Sequence, residues 1–203
     1  MSLPVILQRV KDEGHAVFTR GRYNLNIVGV RSPPGEVNTF DDELHLIYKD
    51  DRDEWVDLSF ACTTDPGLYW LKRPMNVGGT AILKEGQYRG AYLIGKHRGI
   101  YKALVQRRPV KCYRDRNRDN VIDFDVPVTE GLYGINIHHA GVDSKQVDKW
   151  SAGCTVIGNL ADWNIFMAVI ERSAELYGER FTYTLIDRDC RHCGGCPCEC
   201  KEQ

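Results

Sequence analysis

YGINIHHAG, from Tyr133 to Gly141, and WSAGCTVIG, from Trp150 to Gly158, are separated by a short polar loop, and what they become decides how the chain is read. In the first stretch Ile135, Ile137 and His139 alternate with Asn136 and His138, so a strand would put the two sets on opposite faces. With the isoleucines in the core, His138 points away from it. Twelve residues separate His138 from Ser151, after which S-A-G-C runs into a β-to-helix transition. A histidine on a strand end and a cysteine on the next turn are then expected to meet across a cleft.

Upstream, strand signals dominate. NLNIVGV (24–30), LHLIYK (44–49), AYLIG (91–95), KALVQ (102–106) and PVKCY (109–113) are short, apolar or β-branched, and set between Gly, Pro and Asp clusters. In WVDLSFAC, Val56, Leu58, Phe60 and Cys62 alternate with their neighbours, as one buried sheet face requires. Downstream, Trp163, Phe166, Met167, Ile170, Ala174 and Tyr177 recur at helical spacing, with Asn159 as cap and Gly178 as stop. FTYTLI (181–186) is a last strand. The expectation is a mainly β chain with one long helix, a β-rich α+β fold with mostly antiparallel pairing. Residues 1–186 form a single domain, and 187–203 a cysteine-rich tail.

Composition narrows the partners. The chain has 203 residues, with 27 Lys plus Arg against 28 Asp plus Glu, so no basic excess points to nucleic acid. The apolar run near the start is too short for a signal peptide, and no segment could cross a bilayer, so synthesis in the cytoplasm is expected with no membrane partner. Of eight cysteines only Cys62, Cys112 and Cys154 lie in the body, an arrangement that favours reduced thiols.

A cysteine nucleophile needs a neighbouring imidazole or an electropositive helix start to hold its thiolate. Cys154 is expected to be partly exposed near such a start, with His138 as base. Gly153 would let backbone N–H groups approach a developing oxyanion, and Ser151 would donate to the same centre or orient the loop. The competing reading makes Cys154 a small buried residue and the histidines a strand terminus.

I-H, a short loop, S-x-G-C, a helix and a last strand together resemble the L,D-transpeptidase catalytic domain (YkuD-like) family. FACTTDPG (60–67) and GTAILKEGQY (79–88) resemble, in order, the family's strand, turn and strand ahead of the active site. The resemblance spans residues 24–186 loosely, and only IHH and SAGC are specific. It implies an L,D-transpeptidase-like β-sandwich or barrel. It also implies acyl transfer on peptidoglycan stem peptides, with Cys154 attacking, His138 taking the proton and donors near Gly153 holding the oxyanion. No cofactor is required for that chemistry. The chain departs from the family in a shorter loop, in Ala152 where the motif histidine stands, and in Thr155-Val156 where an apolar residue and an arginine or asparagine are usual. His139 and His97 are the candidates to supply the missing imidazole, and with Asn136 and Trp150 they make up the candidate substrate-binding set. GINIHHAG, KWSAGC and RDRNRDN also resemble bacteriophage-encoded sequences. A phage lysis or virion protein would reach the cell wall without an export signal, so hydrolysis is expected over cross-link synthesis.

Two further stretches bear on metals. In YRDRNRDNVIDFD, Asp115, Asn117, Asp119 and Asp123 fall at positions 1, 3, 5 and 9 of a calcium loop, but Asn120 replaces the turn glycine and Val126 the bidentate glutamate. A solvated hairpin turn accounts for the same residues. In the tail, Cys190, Cys193, Cys196, Cys198 and Cys200 with His192 offer thiolate and imidazole ligands for zinc or an iron–sulfur cluster, or form a flexible, redox-sensitive end. Two functional classes stay open: a cysteine peptidase on peptidoglycan, and a non-catalytic structural or wall-binding virion protein, associated with other virion proteins, on the same fold.

Overall fold

A computed structural model describes residues 2–33 and 37–188. The strands are β1 (Asn26–Arg31), β2 (Asp42–Lys49), β3 (Trp55–Thr63), β4 (Thr80–Leu83), β5 (Gly86–His97), β6 (Tyr101–Gln106), β7 (Val110–Asp115), β8 (Val128–Gly131), β9 (Ile137–His139), β10 (Thr155–Ile157) and β11 (Arg180–Asp187). The helices are α1 (Val5–Asp12), α2 (Leu68–Lys72) and α3 (Leu160–Tyr177). The result is a mixed α+β fold with one long helix and two sheets. The tail ligands Cys190, His192, Cys193, Cys196, Cys198 and Cys200 lie outside the described residues.

The large sheet runs β1-β11-β5-β6-β9-β10-β3-β2, and β2 pairs back onto β1. Its thinnest joint is the single pair Leu104–Ile137 between β6 and β9. Most pairings are antiparallel, but β1–β11 and β9–β10 are parallel. A parallel pair cannot be closed by a tight turn and needs a long connection. The stretch between β9 and β10 serves that purpose, and it carries Trp150, Ser151 and Gly153. The small sheet, β4-β7-β8, is antiparallel.

The main core lies on the isoleucine face. Ile135, Ile137 and Ile157 join Leu44, Leu46, Phe60, Leu104, Tyr183 and Leu185, and α3 adds Trp163, Phe166, Met167 and Ile170. Phe166 stacks on Trp163 at 5.2 Å and meets the edge of Phe60 at 6.0 Å. α3 starts where the Asn159 side-chain Oδ1 accepts from the amides of Ala161 (2.7 Å) and Asp162 (3.3 Å), a cap whose removal costs about 1 kcal/mol. Gly178, at φ 81°, ends it. Sequence reading assigned no structure to α1. Its Leu7 and Val10, three residues apart, pack on Val28, Val30, Ile47 and Ile186. No helix among the described residues is long and apolar enough to cross a membrane.

A buried arginine ties the two sheets. Arg31, at the end of β1, is 1% exposed. It donates from Nε to Thr64 Oγ1 (2.9 Å) and from Nη2 to the Leu83 carbonyl of β4 (2.8 Å), and it pairs with Asp65 at 3.0 Å. Asp42 fastens the same corner by accepting from the Ser32 and Thr64 amides (2.7 and 2.6 Å) and the Thr64 hydroxyl (2.8 Å). These bonds hold the β3–α2 turn in place, and that turn abuts the loop before Cys154.

Candidate active site

The parallel register of β9 and β10 sets Val156 beside His138 and Thr155 beside Ile137. Paired residues share a face, so Asn136, His138, Cys154 and Val156 stand together on the face opposite the isoleucines. Cys154 and Val156 cluster there with Ala140, and Phe40 packs against them.

Cys154 lies just ahead of β10. Its Sγ accepts from the Asn136 amide (3.4 Å) and donates to the Gly134 carbonyl (3.5 Å), while Thr155 N–H donates to the Asn136 carbonyl (3.0 Å). Where the sequence led us to expect a partly exposed thiol near a helix start, the residue is 8% exposed and β10 stands between it and α3. Burial pushes the thiol up to about 11, against small opposing pulls from the Asn136 amide and the Arg98 charge. Cys62 and Cys112 are also free thiols and fully buried.

His138 is 1% exposed. Its Nδ1 lies 2.9 Å from the His139 carbonyl and 3.0 Å from the Tyr101 hydroxyl, which itself donates to that carbonyl at 3.0 Å. A carbonyl only accepts, so a bare lone pair on Nδ1 would face another lone pair. The network therefore places the proton on Nδ1 and leaves the lone pair on Nε2. Nε2 is buried and has no hydrogen-bond partner among the described residues. Burial first, then the neighbouring His97, lowers the imidazole to about 3, so it is neutral near pH 7. Both shifts oppose moving the thiol proton to the ring at rest. The resting pair is thiol and imidazole, not thiolate and imidazolium.

His97 and His139 separate. His97 stacks on His138 with ring centroids 3.9 Å apart. Asn136 holds it: Oδ1 accepts from the Gln106 amide (2.9 Å), which turns Nδ2 toward His97 Nδ1 (3.1 Å) as a donor. Burial and the Arg98 charge lower His97 to about 4. His139 turns to the other face, against Trp163 at 5.7 Å, and its Nδ1 bonds the Ala140 carbonyl. Of the two candidate replacement imidazoles, His97 is therefore the one beside His138.

Ser151 and Gly153 shape the loop. Ser151, fully buried, donates to the Cys154 carbonyl (2.8 Å) and accepts from the Gly153 amide (3.1 Å). Of the backbone N–H groups near Gly153, its own is thus committed to Ser151, and Ser151 orients the loop. Gly153 is required for a different reason: φ is +117°, and a Cβ would sit 2.3 Å from the Ala81 carbonyl oxygen of β4. Trp150 is 42% exposed at the outer end of the loop.

Sequence reasoning missed three contributors. Tyr101 reaches His138 from β6. Gln106 binds the Tyr133 and Ile135 amides through Oε1 (3.0 Å each) and the Gly131 carbonyl through Nε2 (2.8 Å), which shapes the strand entry that delivers Asn136. Phe40 arrives from the β1–β2 connection. Only the polar Gln ending an apolar run offered a signal in the sequence.

The Asp115–Asp123 loop is tied by bonds among its own polar groups. Asn117 Nδ2 donates to Asp119 (3.0 Å) and Asp123 (2.6 Å), and Asp115 accepts from the Asp123 amide (3.3 Å). An amide nitrogen therefore stands among the carboxylates proposed for calcium. Burial and the nearby Asp123 and Asp119 charges raise Asp115. Among the described residues no group of three or more His, Cys, Asp or Glu is arranged to hold a metal. Comparison of the chain with protein-family models, curated proteins and solved structures gives no match.

Proposed function

We propose that the protein is a cysteine-dependent peptidase of peptidoglycan stem peptides, built on an L,D-transpeptidase-like domain in which the closed run of eight strands is the family's barrel. The observation that carries this reading is the His138 imidazole, held at Nδ1 by the His139 carbonyl and Tyr101, with its buried Nε2 lone pair unengaged on the face that carries Cys154. Cys154 Sγ bonds the Asn136 amide and the Gly134 carbonyl and makes no hydrogen bond to Nε2 at rest, so the pair has to close as substrate binds. In the reaction Sγ bonds to an amide carbonyl carbon as the thiol proton moves to Nε2. The proton then passes to the leaving nitrogen as the C–N bond breaks, and water resolves the thioester. Because the resting pair is neutral, proton transfer accompanies attack rather than preceding it. Peptidoglycan is the partner, reached through phage lysis or from a virion.

The second reading, a non-catalytic virion protein of the same fold, draws on the burial of Cys154 and the raised thiol. Incubation with purified muropeptides and mass analysis of the products separates the two. Cleavage that disappears in both Cys154→Ala and His138→Ala supports the enzyme, since the pair acts as a unit. No cleavage by the parent supports the structural protein.

A further inference from the structure

A groove of about 630 Å³ runs between α2 and the turn before Ser151, with Tyr69, Lys72, Arg73, Lys149 and Trp150 on its walls. Two cations address one ring here: Lys149 Nζ lies 4.6 Å and Arg73 Cζ 5.1 Å from the Tyr69 centroid. Exposed Lys102, Lys145 and Arg172 have carboxylates within ion-pair distance, whereas exposed Lys96, Arg107 and Lys111 have none among the described residues, so it is the convergence of two cations on one ring that sets this groove apart. No ion pair to Lys72, Arg73 or Lys149 occurs among the described residues. The groove's own carboxylate, Asp148, accepts from Asn38 Nδ2 (3.0 Å).

The walls are fixed to the catalytic loop. Trp70 Nε1 donates to the Lys149 carbonyl (3.1 Å), and the Gly67 amide donates to the Ser151 carbonyl (2.9 Å). Gly67 is needed for that approach, since a Cβ there would lie 2.2 Å from the Asp148 carbonyl oxygen. Three cations without carboxylate partners are thus held beside an exposed indole, five positions or fewer along the loop from Cys154 in the case of Lys149 and Trp150.

We propose that this groove binds a carboxylate-bearing peptide, with Lys72, Arg73 and Lys149 facing its carboxylates and Trp150 covering an apolar part of it. Charge complementarity selects the class. Single-stranded nucleic acid needs a longer track of cations to follow its phosphates, and a chain with 27 basic and 28 acidic residues offers this short cluster instead. A short peptide with one to three carboxylates matches it. The inference deepens the peptidase reading and rests on it for naming the ligand a stem peptide.

The test uses full-length Cys154→Ala protein, so that binding is read without turnover. A stem tripeptide with free carboxylates and the same peptide with carboxamides are titrated by calorimetry, alongside a short oligothymidylate. Expected are binding of the free-acid peptide that weakens with salt, and about tenfold weaker binding both of the amide form and by Arg73→Gln/Lys149→Gln protein. Lys149→Arg should retain the affinity. If the double variant melts early, Lys72→Gln alone should still weaken the free acid relative to the amide. Equal affinity for acid and amide, no binding of either, or tighter binding of the oligothymidylate overturns the proposal. Acid-selective binding with no cleavage by the parent would leave the groove assignment standing and remove the peptidase.

Discussion

Tyr101→Phe tests the assignment of the His138 proton most directly. The substitution deletes one hydroxyl that contacts Nδ1 and the His139 carbonyl, both at 3.0 Å, and leaves the ring in place. The hydroxyl is pushed up to about 12 by burial, so it is a proton donor throughout the working range. Nδ1 keeps its 2.9 Å bond to the His139 carbonyl, so the lone pair should remain on Nε2 in the variant. Loss of the hydroxyl should cost about 1–2 kcal/mol of stability. A loosened ring should lower kcat by about tenfold, the equivalent of 1.4 kcal/mol, and not by the roughly 10⁴-fold that follows a wrong tautomer. Nitrogen-15 spectra of histidine-labelled protein read the tautomer, and muropeptide turnover reads the rate. A parent spectrum with the proton on Nε2 would refute the reasoning, because the thiol face would then present a donor and no base.

Other outcomes follow from the same geometry. With His138 lowered to about 3, muropeptide turnover should persist at pH 5 and fall only toward pH 3–4; an acid limb near 6.5 would show a solvated base. The same depressed value means that the stability attached to neutral His138 is complete above pH 6.5 and lost as pH falls toward 3, so urea midpoints should decline over that window more steeply in the parent than in His138→Gln. Gly153→Ala should destabilise by more than about 3 kcal/mol through its φ and the Ala81 clash, and Ser151→Ala by about 2–4 kcal/mol through two unsatisfied backbone groups; urea melts check both. Iodoacetamide should reach Cys154, at 8% exposure, before Cys62 and Cys112, but slowly at pH 7.5 and faster as pH rises toward 11; peptide mass mapping decides the order.

The strands and α3 were legible because their signals are local. Alternation in WVDLSFAC and the Trp163–Ile170 spacing each record one face against one core. The facing of His138 was legible for the same reason. The electrostatics of Cys154 were not, since they depend on which elements surround it. A cysteine ahead of a capped helix reads as activated until a short strand, Thr155–Ile157, is found between them. The role of Gly153 was misread because its requirement comes from Ala81, more than seventy positions upstream, on a strand of the other sheet. Tyr101 escaped notice because its reach to His138 depends on the β6–β9 contact, a joint of one residue pair that leaves no trace in either segment. α1 was missed because eight residues carry too few turns for periodicity to stand out.

The parallel pairing of β1 with β11 has a consequence for how the molecule is made. Ile27 and its partner Tyr183 stand 156 positions apart. At about 5–20 residues per second, roughly 10–30 s of translation separate them. During that interval β1, buried along its whole length in the finished protein, can pair with β2 but has nothing on its other side. The nascent chain therefore carries an apolar strand edge open to its neighbours on the polysome. Slowing elongation near the C-terminal end should favour aggregation, whereas a circular permutant that joins 188 to 2 through a flexible linker, keeping α1, and opens the chain at an exposed turn would shorten the wait.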